Sequence, residues 1–199
     1  GVFAVCVANI RRAVAKGFNV SVIYTVSKKN LQALPFMIPL LRDLQVPKFF
    51  IQVIGLRGNS AQHNSEENMQ VSREQWLEIV PEVARQAADN GIHVTYTQVF
   101  LGAEEKFECA GNVSENFFIF PNGRVYQCPL CEDHPVNAYQ ISNNLLVKNE
   151  GLTDERFFKL NSVEGCVMNK LLQPDTLEYD ALGNPLYRIS CCLLKQEIG

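Results

Sequence analysis

Apolar positions along the first hundred residues switch repeatedly between a helical period and a strand-like run. Over residues 2–16, Phe3, Val7, Ile10 and Val14 recur on one helical face, and Gly17 supplies a stop. Residues 19–26, NVSVIYTV, are β-branched and aromatic, as a buried strand requires. Asn30 is placed to cap a second helix with a stripe of Leu34, Ile38, Leu41 and Leu44. Pro35 and Pro39 lie within it and each removes a backbone donor, which predicts a late start or a kink. Residues 48–55, KFFIQVIG, read as a second strand, and residues 56–71 as a polar loop. Ser72 and Gln75 form a capping box for a third helix, carried by Trp76, Ile79, Val80, Val83, Ala84 and Ala87, bent at Pro81 and ended at Asn90-Gly91. Residues 92–100, IHVTYTQVF, are a third strand. This order predicts a parallel sheet with crossover connections, against which the helices at 2–16 and 72–90 pack.

After residue 101 the alternation stops. Two strand-like runs, 116–120 and 124–128, flank Pro121-Asn122-Gly123 and predict a hairpin with Gly123 at positive φ. A helix-prone segment follows at 154–160. The stretch GNPLYRIS then predicts a turn and a short strand ending at Cys191-Cys192. The domain boundary falls between Leu101 and Cys109, giving an α/β unit at 1–101 and a small hairpin-containing unit at 102–199. Repeats and low-complexity segments are absent from the sequence.

Composition narrows the class. The chain has 199 residues, 47% of them hydrophobic, and a net charge of −3. That balance leaves no electrostatic footprint for nucleic acid, and Arg11-Arg12 and Lys28-Lys29 read as solvated surface. No apolar run reaches membrane-spanning length. Residues 1–16 are too polar for a secretory signal, so the expectation is a soluble, cytoplasmic protein.

The cysteines carry the chemistry. Six of the seven lie beyond residue 108: Cys109, Cys128, Cys131, Cys166, Cys191 and Cys192. In a reducing compartment, clustered cysteines hold metal or do redox work more often than they form disulfides. The hairpin returns the chain toward Cys109, so it brings that thiol to the CxxC pair Cys128 and Cys131. Thiolates suit both zinc and iron–sulfur, and ligand type alone does not choose. Four ligands for zinc are available in Cys109, Cys128, Cys131 and Cys166. His134 reads either as a replacement ligand or as a surface loop residue beside Pro135. Cys191 and Cys192 are adjacent, so in a strand only one of them serves a given site. Cys6 reads as a packing residue on the first helix.

The block CAGNVSENFFIFPNGRVYQCPLC, from Cys109 through Gly123 to Cys128 and Cys131, resembles the opening of the auxiliary iron–sulfur domain of radical S-adenosylmethionine enzymes, termed SPASM, or twitch when shortened. The first hundred residues resemble the same family. GVFAVCVANIRRAVAKGFNVSVIYTVSKKN is similar to the fourth helix and fifth strand of its barrel, through Gly1, Phe3, Ile10, Gly17, Thr25 and Asn30. KFFIQVIGLRGNSAQ is similar to the sixth strand and its loop, through Gly55, Arg57, Gly58 and Ala61. The resemblance covers nearly the whole chain. It implies a partial (β/α) barrel with parallel strands, followed by a small cysteine-rich β-hairpin/α domain.

The resemblance also implies a function. The family's catalytic cluster sits on a CxxxCxxC loop that this sequence lacks, together with the first four strands. The expectation is therefore a C-terminal piece of a longer enzyme of peptide modification or cofactor maturation, inactive by itself. It would carry one auxiliary [4Fe–4S] cluster on Cys109, Cys128, Cys131 and one of Cys166, Cys191 or Cys192, since two cysteine-ligated clusters need eight thiolates. Thr25 and Arg57 match positions that approach S-adenosylmethionine in the intact family. For Arg57 the competing reading is a solvated loop arginine. The implied partners are the peptide or small-molecule substrate of the parent and a second copy recruited through the open edge of strand 19–26. The alternatives are a zinc-stabilised, non-catalytic binding module and an incomplete relic that binds a partner through that edge.

Overall fold

The computed structural model describes residues 1–55, 69–113, 115–172, 177–191 and 193–199. The chain divides into two compact units. The first comprises Gly1–Gln98 with Lys195–Gly199, and the second Val99–Leu194. Compactness thus breaks at Gln98, three residues before the expected boundary region, and the last five residues return to the first unit.

In the first unit, helix α1 (Val2–Ala15) leads to β1 (Ser21–Val26). The expected late helix start is present: Leu31–Phe36 is a 3₁₀ helix containing Pro35, and α2 (Met37–Asp43) begins only after it. Asn30 precedes this pair without capping it. Its side chain accepts from Ser27 N–H at 2.7 Å and donates to the Thr25 carbonyl at 2.9 Å, closing the turn after β1 instead. β2 (Lys48–Val53), α3 (Arg73–Asp89) and β3 (His93–Thr97) follow. The Ser72–Gln75 capping box forms in both directions.

β1 and β2 pair in parallel from Ser21↔Lys48 to Val26↔Val53, and β2 and β3 from Lys48↔His93 to Ile51↔Tyr96. The parallel pairing of three strands is as the alternation predicts, but the third strand ends at Thr97 instead of running to residue 100, and Phe100 opens a separate strand in another sheet. The strand Lys195–Ile198, unread in the sequence, adds antiparallel to the free side of β3. The sheet is therefore mixed and open, in the order β1, β2, β3, C-terminal strand; among the described residues it does not close into a barrel. Its core joins Phe49, Ile51 and Val94 to Trp76, Val80, Ala84 and Ala87 of α3 and to Leu31, Leu34 and Leu41.

Helix α1 corrects one expectation. Its apolar stripe is real, but it buries no residue, and Phe3 is 69% exposed. Periodicity shows that a helix has an apolar face; it does not supply the surface that covers it. Cys6, expected to pack, is likewise exposed. Among the described residues no helix is long and apolar enough to cross a membrane.

In the second unit, β4 (Phe100–Gly102) is followed by α4 (Ala110–Val113), β5 (Phe118–Ile119) and β6 (Arg124–Tyr126). Then come β7 (Tyr139–Ser142), β8 (Leu145–Lys148), α5 (Glu155–Phe158), α6 (Val167–Leu172) and β9 (Tyr187–Ile189). β5 to β8 form an antiparallel meander, and β4 pairs with β9. The predicted hairpin is present, with Gly123 at φ +79° and its N–H donating to the Phe120 carbonyl at 2.9 Å. A second hairpin, β7–β8, turns through Asn143 and Asn144, both at positive φ, the geometry that follows the twist of the strands.

Candidate functional site

The second unit brings cysteines from four separate local structures to the wall of one cavity. Cys109 immediately precedes α4, whose Gly111 lies against the Phe158 ring so closely that a Cβ would stand 2.6 Å from it. Cys128 follows β6. There the buried Asp154 carboxylate accepts from the N–H of Gln127 at 2.7 Å and of Cys128 at 3.1 Å. Tyr126 secures the far side of this bend, its hydroxyl donating to the His134 carbonyl at 2.7 Å. Between them Pro129–Cys131 makes one 3₁₀ turn, which buries Cys131.

Cys166 is held against β9: its N–H donates to the Ile189 carbonyl at 2.8 Å. Gly165 makes this approach possible, because a Cβ there would stand 2.4 Å from the Ile189 oxygen, and its φ is +94°. Cys191 lies two residues beyond β9, and the N–H of Leu193 donates to its sulfur at 3.4 Å.

Cys109, Cys128, Cys166 and Cys191 line one cavity of about 20 Å³. Its remaining walls are largely apolar, including Phe107, Phe157, Phe158 and Met168. The described cysteines carry thiols, not disulfides. Burial pushes the Cys109 thiol up to about 11 and the Cys166 thiol up to about 12, and the charges of neighbouring cysteines add to both. Cys128 is also raised, first by its hydrogen bond with Cys131, then by burial. These shifts favour the protonated form of Cys109, Cys128 and Cys166, and a bound cation would reverse that preference by pairing with the thiolates.

The chemistry of the lining suits a thiophilic metal better than a hard one: among the described residues four cysteines and no carboxylate or imidazole line the cavity. The thiols face a common space rather than meeting at bonding distance. Among the described residues no group of three His, Cys, Asp or Glu side chains stands in a coordinating arrangement.

The remaining expected site residues fall elsewhere. Cys131 packs directly behind the cavity without lining it. His134 is exposed. Thr25 stands exposed at the C-terminal end of β1, its hydroxyl accepting from Gln52 Nε2 at 2.9 Å. Arg57 and Cys192 lie outside the described residues. Sequence reasoning missed Asp154, since an aspartate opening a helical segment reads as a helix cap; nothing in the pattern points from it to Cys128.

No protein-family model, no curated protein and no solved structure matches this chain.

Proposed function

We propose that this chain is part of a radical S-adenosylmethionine enzyme and that its second unit holds an auxiliary [4Fe–4S] cluster. The observation that carries the reading is the convergence of Cys109, Cys128, Cys166 and Cys191, dispersed over the sequence, on one cavity. The parallel β–α order of the first unit supports it, as does the hairpin that delivers Cys128. Cys109, Cys128, Cys166 and Cys191 would be the ligands, with Cys131 and Cys192 as the other thiols of the set. Such a cluster, with each iron held by a thiolate, would supply a one-electron acceptor. The chain's own part is to exclude water with the phenylalanine walls and to fix the Cys128 backbone through Asp154.

In this reading the intact parent modifies a peptide or matures a small-molecule cofactor in the cytoplasm, and Thr25 and Arg57 approach S-adenosylmethionine. The C-terminal end of β1, where Thr25 stands, is where open parallel sheets bind ligands. The first unit forms the later part of a (β/α) barrel, and the edge of β1 recruits a partner.

The cavity's size favours a second reading. About 20 Å³ is room for one water-sized body, the scale of a single Zn²⁺, toward which the four thiols would have to close in to bond it. That reading gives a zinc-stabilised binding module. Anaerobic reconstitution with iron and sulfide, followed by assay of iron, sulfide and zinc and a visible spectrum, separates the two. Iron and sulfide in cluster proportion, lost in Cys128→Ala, support the cluster. Stoichiometric zinc with no uptake of iron or sulfide establishes the zinc module.

A further inference from the structure

A second, larger pocket of about 370 Å³ opens on the other side of Cys109. Lys106, Lys159 and Arg188 line it, against the single carboxylate of Glu108. Arg188 comes from β9, where it pairs with Leu101, and the flanking Tyr187 and Ile189 are buried while Arg188 points the opposite way along the alternation. Its Nε is buried and has no hydrogen-bond partner. A guanidinium nitrogen withdrawn from water without an acceptor is costly, and an anion in the pocket would supply that acceptor. None of the three cations makes an ion pair among the described residues. The opposite wall is apolar: Phe107, Phe158 and Leu160 line both this pocket and the thiol cavity.

We infer that this pocket binds a small carboxylate whose body is apolar or aromatic, with the carboxylate on Arg188 and the body against Phe107 and Phe158. Arginine meets a carboxylate through two parallel hydrogen bonds, a match that an uncharged amide cannot reproduce. Lys106 and Lys159, at the exposed rim, raise the local concentration of anions. The ligand so held lies beside Cys109, which stands in the wall common to both cavities. The inference does not depend on what the thiols hold.

The test is titration calorimetry of the full chain, metal-free and reduced, and again after reconstitution. N-acetylphenylalanine is the probe, compared with its amide and with inorganic phosphate. The expected result is carboxylate binding at least about tenfold tighter than amide binding. Arg188→Gln should lose that margin and leave the amide unchanged; its melting curve reports whether it folds. Lys106→Gln with Lys159→Gln, both on the exposed rim, should weaken the carboxylate severalfold without touching the fold. Equal affinity for acid and amide, undetectable binding of both, or wild-type affinity in folded Arg188→Gln would overturn the inference. Phosphate binding tighter than N-acetylphenylalanine would overturn the assignment to an apolar carboxylate.

Discussion

Asp154 reaches back across 26 residues of chain to accept the N–H of Cys128 at 3.1 Å, and the same oxygen takes the N–H of Gln127 at 2.7 Å. Burial raises its carboxyl above the usual range, opposed by these backbone N–H groups, and its second oxygen is buried without a partner. Asp154→Ala should strand two buried donors and cost about 2–4 kcal/mol. Asp154→Asn keeps one acceptor oxygen and removes the buried charge, so it should cost less than half as much. Chemical denaturation of the three proteins checks this, and metal loading should follow the same order.

The four cavity thiols should act as a set. Alanine at Cys109, Cys128, Cys166 or Cys191 should each abolish stoichiometric metal uptake, since removing one ligand of four leaves an incomplete site. Cys6→Ala, on the exposed face of α1, should leave uptake intact. Uptake by Cys166→Ala equal to wild type would remove Cys166 from the set.

Gly165 is a point of close backbone approach, and alanine has no room there. With a Cβ 2.4 Å from the Ile189 oxygen and φ at +94°, Gly165→Ala should destabilise the second unit by about 2–4 kcal/mol. It should also loosen Cys166 from β9, which faster reaction of that thiol with an alkylating reagent would reveal.

Glu164 gives the chain an acid sensitivity. The hydrogen bond from Lys170, with that from Ser162, holds its carboxyl down to about 2 from an ordinary value of 4.5. The lowered value means the folded state favours the ionised form. The stabilisation is therefore complete above about pH 4.5 and is lost as pH falls toward 2. The melting temperature of the wild type should fall faster through this window than that of Glu164→Gln. Parallel profiles would dissociate the pair from stability.

The edge of β1 pairs with nothing on its outer side among the described residues, and Ile23 on that strand is 60% exposed. Self-association through this edge is expected, and Ile23→Lys should reduce it. Light scattering at rising concentration reads both proteins; a wild type that stays monomeric at high concentration refutes the expectation.

Legibility in the sequence followed the kind of physics involved. The strands β1, β2 and β3 were readable because β-branched and aromatic runs have few other uses, and the Ser72–Gln75 box because its two bonds are local. The β5–β6 hairpin was readable from Gly123. Asn143-Asn144 carried the same information for β7–β8, in a residue pair less specific for turns. The strand Lys195–Ile198 was not readable: KQEI has no apolar alternation, and it owes its strand state to the exposed edge of β3. The thiol site was half legible. The CxxC pair pointed to a thiol cluster, yet Cys131 turns behind the cavity while Cys166 and Cys191, remote in sequence, line it. Long-range hydrogen bonds to β9 decide that, and spacing does not encode them.

The return of strand Lys195–Ile198 to β3 sets a timing on synthesis. Thr97 and Lys195 are neighbours across the sheet, although the entire second unit is translated between them. While the ribosome makes that unit, β3 waits as an open edge, available to any passing extended chain. The first sheet is finished only when the strand after the second unit has emerged. A slow or misfolded second unit therefore leaves the first exposed, and helpers that shield nascent edges would act on this chain at β3.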